Sequence, residues 1–432
     1  MNTDRRTFLA TGSAFAALLA SSCVARRSPP AGATPAGLYG ALQADPAGLL
    51  DLPKGFSYRV ISRLGDAMDD GGTVPDRADG MGCFDLGRGK LALVRNHELT
   101  VHHNAGGALA SGFDTRSGGA VLPGGTTTLV LDAVTGKVER QYRSLAGTIR
   151  NCAGGITPWG SWLTCEEDMT RAGDGVGRDH GWVFEVPATA PGLVDPVPLK
   201  AMGRFNHEAA AVDPETGIVY MTEDRDDSLL YRFIPASPGK LIAGGKLQAL
   251  AADGIADSRN WDGSGMAPDS GAKVRWIDLD KVASPEDDLR QRGAAKGATL
   301  FARGEGIHMG AGELFFCCTS GGAAKLGQVF RFVPGEDRLE LFFESTSPDQ
   351  FNYGDNLTVS PNGHLIVCED QYTAVVDNHL RWITPDGRGY PFARLRTQTE
   401  LAGACWSPDG LTLFVNAYSP TATLAITGPW VN

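Results

Sequence analysis

Short runs of alternating apolar and polar residues, closed by glycine, proline or asparagine, fill most of the chain. A period of two is the signature of half-buried β-strands. Residues 56–62 read as the first strand. A hairpin follows at 81–85 and 90–94, turning at Gly87-Arg88-Gly89 and ending on Arg95-Asn96-His97-Glu98. The same grammar returns five times. Cys152 opens a strand that turns at Pro158-Trp159-Gly160, runs through 161–164 and ends on Cys165-Glu166-Glu167. Residues 208–213 turn at 214–217 into 218–222 and end on Glu223-Asp224. Glu305-Gly306-Ile307 passes Gly310-Ala311-Gly312 into 314–317 and ends on Cys318-Thr319. Residues 355–360 turn at Pro361-Asn362-Gly363 into 364–367 and end on Cys368-Glu369-Asp370. Residues 403–407 turn at Pro408-Asp409-Gly410 into 411–415 and end on Asn416.

Stretches at 126–131, 230–234, 329–332 and 339–343 supply further strands between these hairpins. Six copies of one hairpin unit predict an all-β, six-bladed β-propeller. A large β-sandwich, or two β domains, is the competing architecture, because the copies are irregularly spaced. Residues 235–297 form the longest irregular region. With its Gly/Asp/Ser-rich loop around Trp261 and a strand at 274–277, it reads as an insertion lying over one face as a lid or side wall. An insertion without a role is the equal alternative.

Composition narrows the function classes. The 56 glycines and 25 prolines suit many turns, and the net charge of -11 with no basic stripe argues against a nucleic-acid partner. An acidic balance fits cation binding. Arg5-Arg6-Thr7-Phe8-Leu9, followed by an apolar run over 9–20, reads as a twin-arginine export signal. That route exports folded proteins, which suits one loaded with metal beforehand. The expected organisation is a signal and the start of a tether over 1–30, a linker over 31–50, and one propeller domain over 51–432. Ala20-Ser21-Ser22-Cys23 is a lipoprotein-type cleavage site that would attach the chain to a membrane through Cys23. The mature protein is expected in the periplasm or at the cell surface, as a monomer. Seven cysteines remain beyond Cys23. An odd number in an oxidising compartment implies that at least one has a role other than a disulfide.

Antiparallel hairpins bring the start of the first strand and the end of the second to one edge. Glu98, Cys152, Glu166, Glu167, Glu208, Glu223, Glu305, Asp355 and Glu369 sit at those positions. They are expected to converge as a ring at one mouth of the central channel. Carboxylates in that number repel one another unless neutralised. Hard oxygen donors suit Ca²⁺, and a lone thiolate among them suits a transition-series ion such as iron. His97 and His207 each precede a key glutamate, and strand neighbours point to opposite faces, so both are read as structural. Cys165 and Cys368 read as core thiols. Cys317 and Cys318 are poorly placed to bond to each other. The acidic turn 224–228 lacks EF-hand spacing and reads as solvated.

Asn96-His97-Glu98, Asn151-Cys152-Ala153-Gly154-Gly155 with Cys165-Glu166-Glu167, Phe205-Asn206-His207-Glu208, Arg303-Gly304-Glu305-Gly306, Asp355-Asn356 with Cys368-Glu369-Asp370, and Thr427-Gly428-Pro429-Trp430 together resemble the PhoX-type alkaline phosphatase family. The likeness runs in order from about Leu52 to the C-terminus. It implies a six-bladed propeller holding two ferric ions bridged by oxide and several calcium ions, acting on phosphate esters. By motif, Cys152 would be the thiolate ligand to iron. Glu98, Glu208 and Glu305 would be among its other ligands, and Glu166, Glu167, Glu223, Asp355 and Glu369 would complete the iron and calcium shells. Arg303 would face the substrate phosphate, with Asn96 as its helper. The chain departs from the family pattern in one respect: segment 140–150 carries Arg143 and Arg150 but no lysine, and the two residue types are not interchangeable at a phosphate site.

The function expected is therefore an exported, metal-dependent phosphoric ester hydrolase acting on small phosphate esters. Clustered cations would neutralise phosphate oxygens and acidify water. A calcium-dependent propeller hydrolase of the lactonase type, and a non-catalytic metal-stabilised envelope protein, are the alternatives. Cys152 and the excess of carboxylates count against the lactonase.

Overall fold

Each predicted hairpin forms, and its inner strand packs beside the next around a ring. The computed structural model describes residues 37–371 and 373–430; the twin-arginine stretch and Cys23 lie outside the described residues. The hairpins pair Ala78–Gly87 with Lys90–His97, Asn151–Ile156 with Ser161–Glu166, His207–Val212 with Val219–Glu223, Gly304–Gly310 with Glu313–Cys318, Gly354–Val359 with Leu365–Glu369, and Leu401–Trp406 with Leu413–Ala417. Their first strands contact one another in that order, and the last returns to the first. The fold is all-β and propeller-like.

Outer strands extend the hairpins into five sheets among the described residues. The third and fourth hairpins share one nine-stranded sheet, because Gly271–Asp278 pairs with Gly245–Ala252 on one side and with Arg338–Glu344 on the other. The long region 235–297 thus contributes sheet to the outer wall, together with the one α-helix among the described residues, Leu289–Ala295. Ser57–Arg63, the first predicted strand, pairs with Ala422–Thr427 and closes the ring from the opposite end of the chain. The folded body begins before residue 51. Leu42–Gln43 pairs with Leu50–Pro53, which in turn joins Gly389–Leu395, and Tyr39 packs edge-on against Phe56 and Trp382. Burying that aromatic cluster removes large apolar areas from water.

The inner strands are built from small residues for a steric reason. A Cβ added at Gly155 would lie 1.9 Å from the Ala210 carbonyl oxygen, and one at Gly80 would lie 2.6 Å from Ala153 Cα. Neighbouring strands approach so closely that only glycine and alanine fit. Along the ring axis these strands line a cavity of about 280 Å³ with Ala153, Ala210, Val212, Ile307, Leu357 and Ala404. The lining of this channel is mostly apolar, with no Asp, Glu, Lys or Arg among the residues that line it.

Candidate metal centre

The same local irregularity recurs in every hairpin. After its first cross-strand pair the inner strand carries three residues against two on its partner. In five hairpins this β-bulge begins immediately after the pairs Ala78/His97, Asn151/Glu166, His207/Glu223, Gly304/Cys318 and Gly354/Glu369. In the sixth it begins one residue later, after Ala402/Asn416. Bulges re-aim side chains. The residues following the pair on the inner strand are Asp79, Cys152, Glu208, Glu305 and Asp355. Beyond each pair the backbone N–H after the second strand donates to the carbonyl before the first: Glu98 to Arg77, Glu167 to Arg150, Asp224 to Asn206, Thr319 to Arg303, Asp370 to Tyr353 and Tyr418 to Glu400, at 2.9–3.2 Å. Six equivalent positions on each side therefore face one mouth.

Four overlapping groups result: Asp79–Glu98–Cys152, Cys152–Glu167–Glu208, Glu208–Glu305–Asp355, and Asp355–Asp370–Glu400. Within each, one potential ligand atom per residue lies within 4.8 Å of the others. Of the residues expected from the sequence, Glu98, Cys152, Glu167, Glu208, Glu305 and Asp355 meet here. Asp79, Asp370 and Glu400 join them without having been singled out as ligands. Asp79 could have been found by aligning the six hairpins on their paired residues rather than on their motifs; Glu400 falls in register with Arg77, Arg150 and Arg303, so that alignment does not mark it.

Glu166, Glu223 and Glu369 lie outside these groups. Each is itself the cross-strand partner of a first inner residue, so it faces the opposite side of its strand. Alternation is the reason: it turns His97 and His207 away from the mouth, and these three glutamates occupy comparable strand-end positions. Glu166 accepts from the backbone N–H groups of Ile149, Gly181 and Trp182 and lies 2.6 Å from His180 Nδ1. His180 Nε2 is 3.2 Å from Asp114. Burial pulls the His180 pKa down, but the Glu166 and Asp114 carboxylates outweigh it and raise it. Glu223 accepts from Tyr231 at 2.7 Å, and Glu369 accepts from Arg381 Nε at 2.5 Å and from the Asn352 N–H at 2.8 Å. These acids brace the hairpin ends.

Asn96 is fully buried. Its amide donates to the carbonyls of Cys152 (3.0 Å) and Ala153 (2.8 Å), and its carbonyl accepts from Trp162 Nε1 at 2.9 Å. It holds the bulge carrying Cys152 and does not face the mouth as a phosphate helper would. His97 and His207 bond to the Asp76 and Gly203 carbonyls, and burial drives the His207 pKa down to about 3. All seven cysteines among the described residues are free and buried, Cys152 included.

A rim stands above the groups. Arg77, Arg150 and Arg303 occupy the position just before an inner strand, with φ of 56°, 45° and 55°. A left-handed backbone at a non-glycine residue is strained and concentrates at functional sites. Each reaches back to the preceding hairpin. Arg77 Nη1 donates to the Tyr418 hydroxyl at 2.7 Å, Arg150 Nε to Glu98 at 2.8 Å, and Arg303 to both oxygens of Asp224 at 2.7 and 2.8 Å. Asn206 does the same to Glu167 at 3.0 Å. Arg303 Nη2 also meets Glu305 at 2.8 Å, and Arg150 Nη2 lies 2.6 Å from both Glu98 and Glu167.

The residues fit multivalent cations. Both carboxylate oxygens of Glu208, one of Asp79 and one of Asp355 are buried with no hydrogen-bond partner. Leaving such atoms dry costs several kcal/mol each unless a cation meets them. Burial, followed by mutual repulsion, raises the pKa of Glu208, Glu305, Asp79 and Glu400 well above the carboxylate range. Glu167 is pushed up to about 8 and Asp355 to about 7. The Cys152 thiol is raised by burial and by Asp79 and Glu208. Bound cations would reverse all of these shifts.

The family model for alkaline phosphatase PhoX matches residues 37–138 and 122–421. A search of curated proteins finds no match. Among solved structures, Pseudomonas fluorescens PhoX, bound to vanadate as a transition-state analogue, superposes with a TM-score of 0.67 at 20% identity, covering 88% of this chain and 96% of that one. A gluconolactonase from Xanthomonas campestris matches with a TM-score of 0.40 at 15% identity, over 86% of this chain and 95% of that one. A regucalcin from Agrobacterium tumefaciens gives 0.41 at 12% identity, over 86% and 96%. The family match spans nearly the whole of the described residues, and the chain belongs to the alkaline phosphatase PhoX family.

Proposed function

We propose that this protein is a metal-dependent phosphatase that hydrolyses small phosphate esters at the mouth of the ring. One observation carries the reading: four ligand groups share Cys152, Glu208 and Asp355, hold orphaned buried oxygens, and lie beneath arginines. Family membership agrees, and vanadate in the Pseudomonas fluorescens protein occupies a site of the same fold. A hydrolase needing one or two calcium ions has no use for four linked groups and a buried thiol.

Asp79, Glu98, Cys152, Glu167, Glu208, Glu305, Asp355, Asp370 and Glu400 would hold the ions. The thiolate among carboxylates supports iron around Cys152, and the all-oxygen group Asp355–Asp370–Glu400 supports calcium. Such ions supply charge neutralisation for phosphate oxygens and a more acidic water. The chain does the rest. Arg303, held at the rim by Asp224 and Glu305, would add positive charge beside a bound phosphate. Asn96 fixes the Cys152 backbone, while Tyr418 bonds to Glu98 and orients it.

We also read the six inner hairpins as six blades, the third and fourth fused by Gly271–Asp278. Twin-arginine export to the periplasm or cell surface, lipid attachment at Cys23 and a monomeric state complete the proposal; the first two rest on residues 5–23. The test is an ester panel on protein loaded with iron and calcium, beside Arg303→Ala. Wild-type turnover with at least a hundredfold loss in the variant at equal metal content is expected. No ester hydrolysis by fully loaded wild-type protein would refute the reading.

A further inference from the structure

We propose that Tyr353 forms the leaving-group side of the substrate site, where its ring packs against esters whose alcohol carries a planar ring. The inference rests on the phosphatase reading and names a substrate class for the same site.

Six residues stand in register just before the inner strands: Arg77, Arg150, Asn206, Arg303, Tyr353 and Glu400. Tyr353 is the one aromatic side chain among them. Arg77, Arg150, Asn206 and Arg303 spend polar groups on the preceding hairpin, bonding to Tyr418, Glu98, Glu167 and Asp224. Tyrosine instead brings a large apolar face to the edge of a funnel lined by acids. Tyr353 also holds φ of 55°. Glycine or asparagine adopts that left-handed backbone readily, whereas a bulky aromatic residue there is an outlier that persists where its surroundings fix it. Its N–H donates to the Leu326 carbonyl at 2.9 Å. Thr319 bonds through its N–H to the Arg303 carbonyl at 3.1 Å and through Oγ1 to the Gly354 carbonyl at 2.8 Å. The loop 319–327 thus ties the Arg303 and Tyr353 positions together. Trp261 stiffens this loop: its Nε1 donates to the Ser320 carbonyl at 2.7 Å, and its ring meets Arg259 and Lys325 at 4.4 and 5.1 Å.

Tyr353 and Arg303 bracket one ligand group. Arg303 stands two residues before Glu305 and Tyr353 two before Asp355, and both acids belong to the group Glu208–Glu305–Asp355. Their strands run side by side at glycine distance, since a Cβ added at Gly306 would lie 2.7 Å from Asn356 Cα. A phosphate over this group would sit beside Arg303, with the substituent on its ester oxygen within reach of the neighbouring tyrosine. Tyr353 is half-buried, so part of it is exposed at the rim. A ring already held in place loses little entropy on packing against a ligand.

The test compares kcat/KM within two pairs of esters, on the metal-loaded full chain. One pair is AMP and ribose 5-phosphate; the other is benzyl phosphate and ethyl phosphate. Each pair releases primary alcohols that differ in a planar ring. Wild-type protein is expected to favour the ring-bearing member of at least one pair about tenfold, through KM. A preference in the first pair alone assigns nucleotides, and in the second alone small aryl esters. Tyr353→Asn suits the left-handed backbone and removes the ring, so it should bring the ratio near one, while Tyr353→Phe should keep it. A merely structural defect, or partial metal loss, lowers both members of a pair together and leaves the ratio in place. A ratio near one for both pairs in the wild type, or a preference that survives Tyr353→Asn, overturns the proposal. If Tyr353→Asn fails to fold or load, Tyr353→Leu decides by the same ratio. Loaded wild-type protein that hydrolyses none of the four esters would instead refute the phosphatase reading itself.

Discussion

Removing the ions should make this protein lose stability as pH rises, the reverse of ordinary acid denaturation. Burial lifts the Glu167 carboxyl from its ordinary 4.5 to about 8, with Asp224 and Glu98 adding repulsion against the pull of Arg150. Burial, with Asp370, lifts Asp355 from 3.8 to about 7. Below about pH 4 both groups are protonated in folded and unfolded chains alike. Between there and about pH 8 only the unfolded chain releases these protons. The unfolded state then binds fewer protons than the folded one, so stability falls as pH increases, and the full penalty is reached near pH 8. At about 1.4 kcal/mol per unit, Glu167 alone represents on the order of 5 kcal/mol, as an upper bound because water entering an emptied funnel screens part of it. That is comparable with the whole stability of an ordinary domain, about 5–15 kcal/mol. Denaturant melts of chelator-treated protein from pH 5 to pH 9 should show a steadily falling midpoint. The same series with ions restored should be flat or rising, because bound cations keep the carboxylates ionised in the folded state. A metal-free midpoint independent of pH, or equal slopes with and without ions, would refute the argument that these acids are held together by cations.

Three substitutions probe the register. Glu167→Gln should lower metal content with the fold intact, whereas Glu166→Gln should cost about 3–5 kcal/mol in a denaturant melt, since it strands buried His180, with ligand residues unaltered. Similar metal loss in both would show that the division between bracing and ligating acids is wrong. Asn96→Ala removes three buried hydrogen bonds around the Cys152 bulge and should destabilise by roughly 2–4 kcal/mol, read by the same melt. Gly155→Ala places a methyl 1.9 Å from the Ala210 carbonyl and should cost about 1–3 kcal/mol or more; a wild-type melting temperature would mean that the inner strands are not so closely packed.

Much of the architecture was legible in the chain alone. Alternation with turn residues is a local signal, so all six hairpins and the strand that closes the ring could be placed from it, and hairpin geometry required their ends to share an edge. The odd cysteine count called for at least one thiol outside a disulfide, and all seven described cysteines are free, so the count did not single out Cys152. The direction in which each inner-strand acid points was not legible. It depends on a one-residue bulge at the mouth of each inner strand, and a bulge leaves no mark in hydrophobic periodicity. Glu166, Glu223 and Glu369 lie on the second strands, where plain alternation turns them from the mouth, so the signal that set His97 and His207 aside could have separated them from Glu167, Glu208 and Asp355; the inward turn of Asn96 towards the Cys152 bulge was hidden. The role of 235–297 as shared outer wall, and the arrival of Glu400 beside Asp370, were also hidden, since both arise from contacts between separate hairpins. Local pattern determined which residues reach the mouth. Only closure of the ring, which packs backbones at glycine and alanine distance and lets each hairpin grip its predecessor, decided which of them meet.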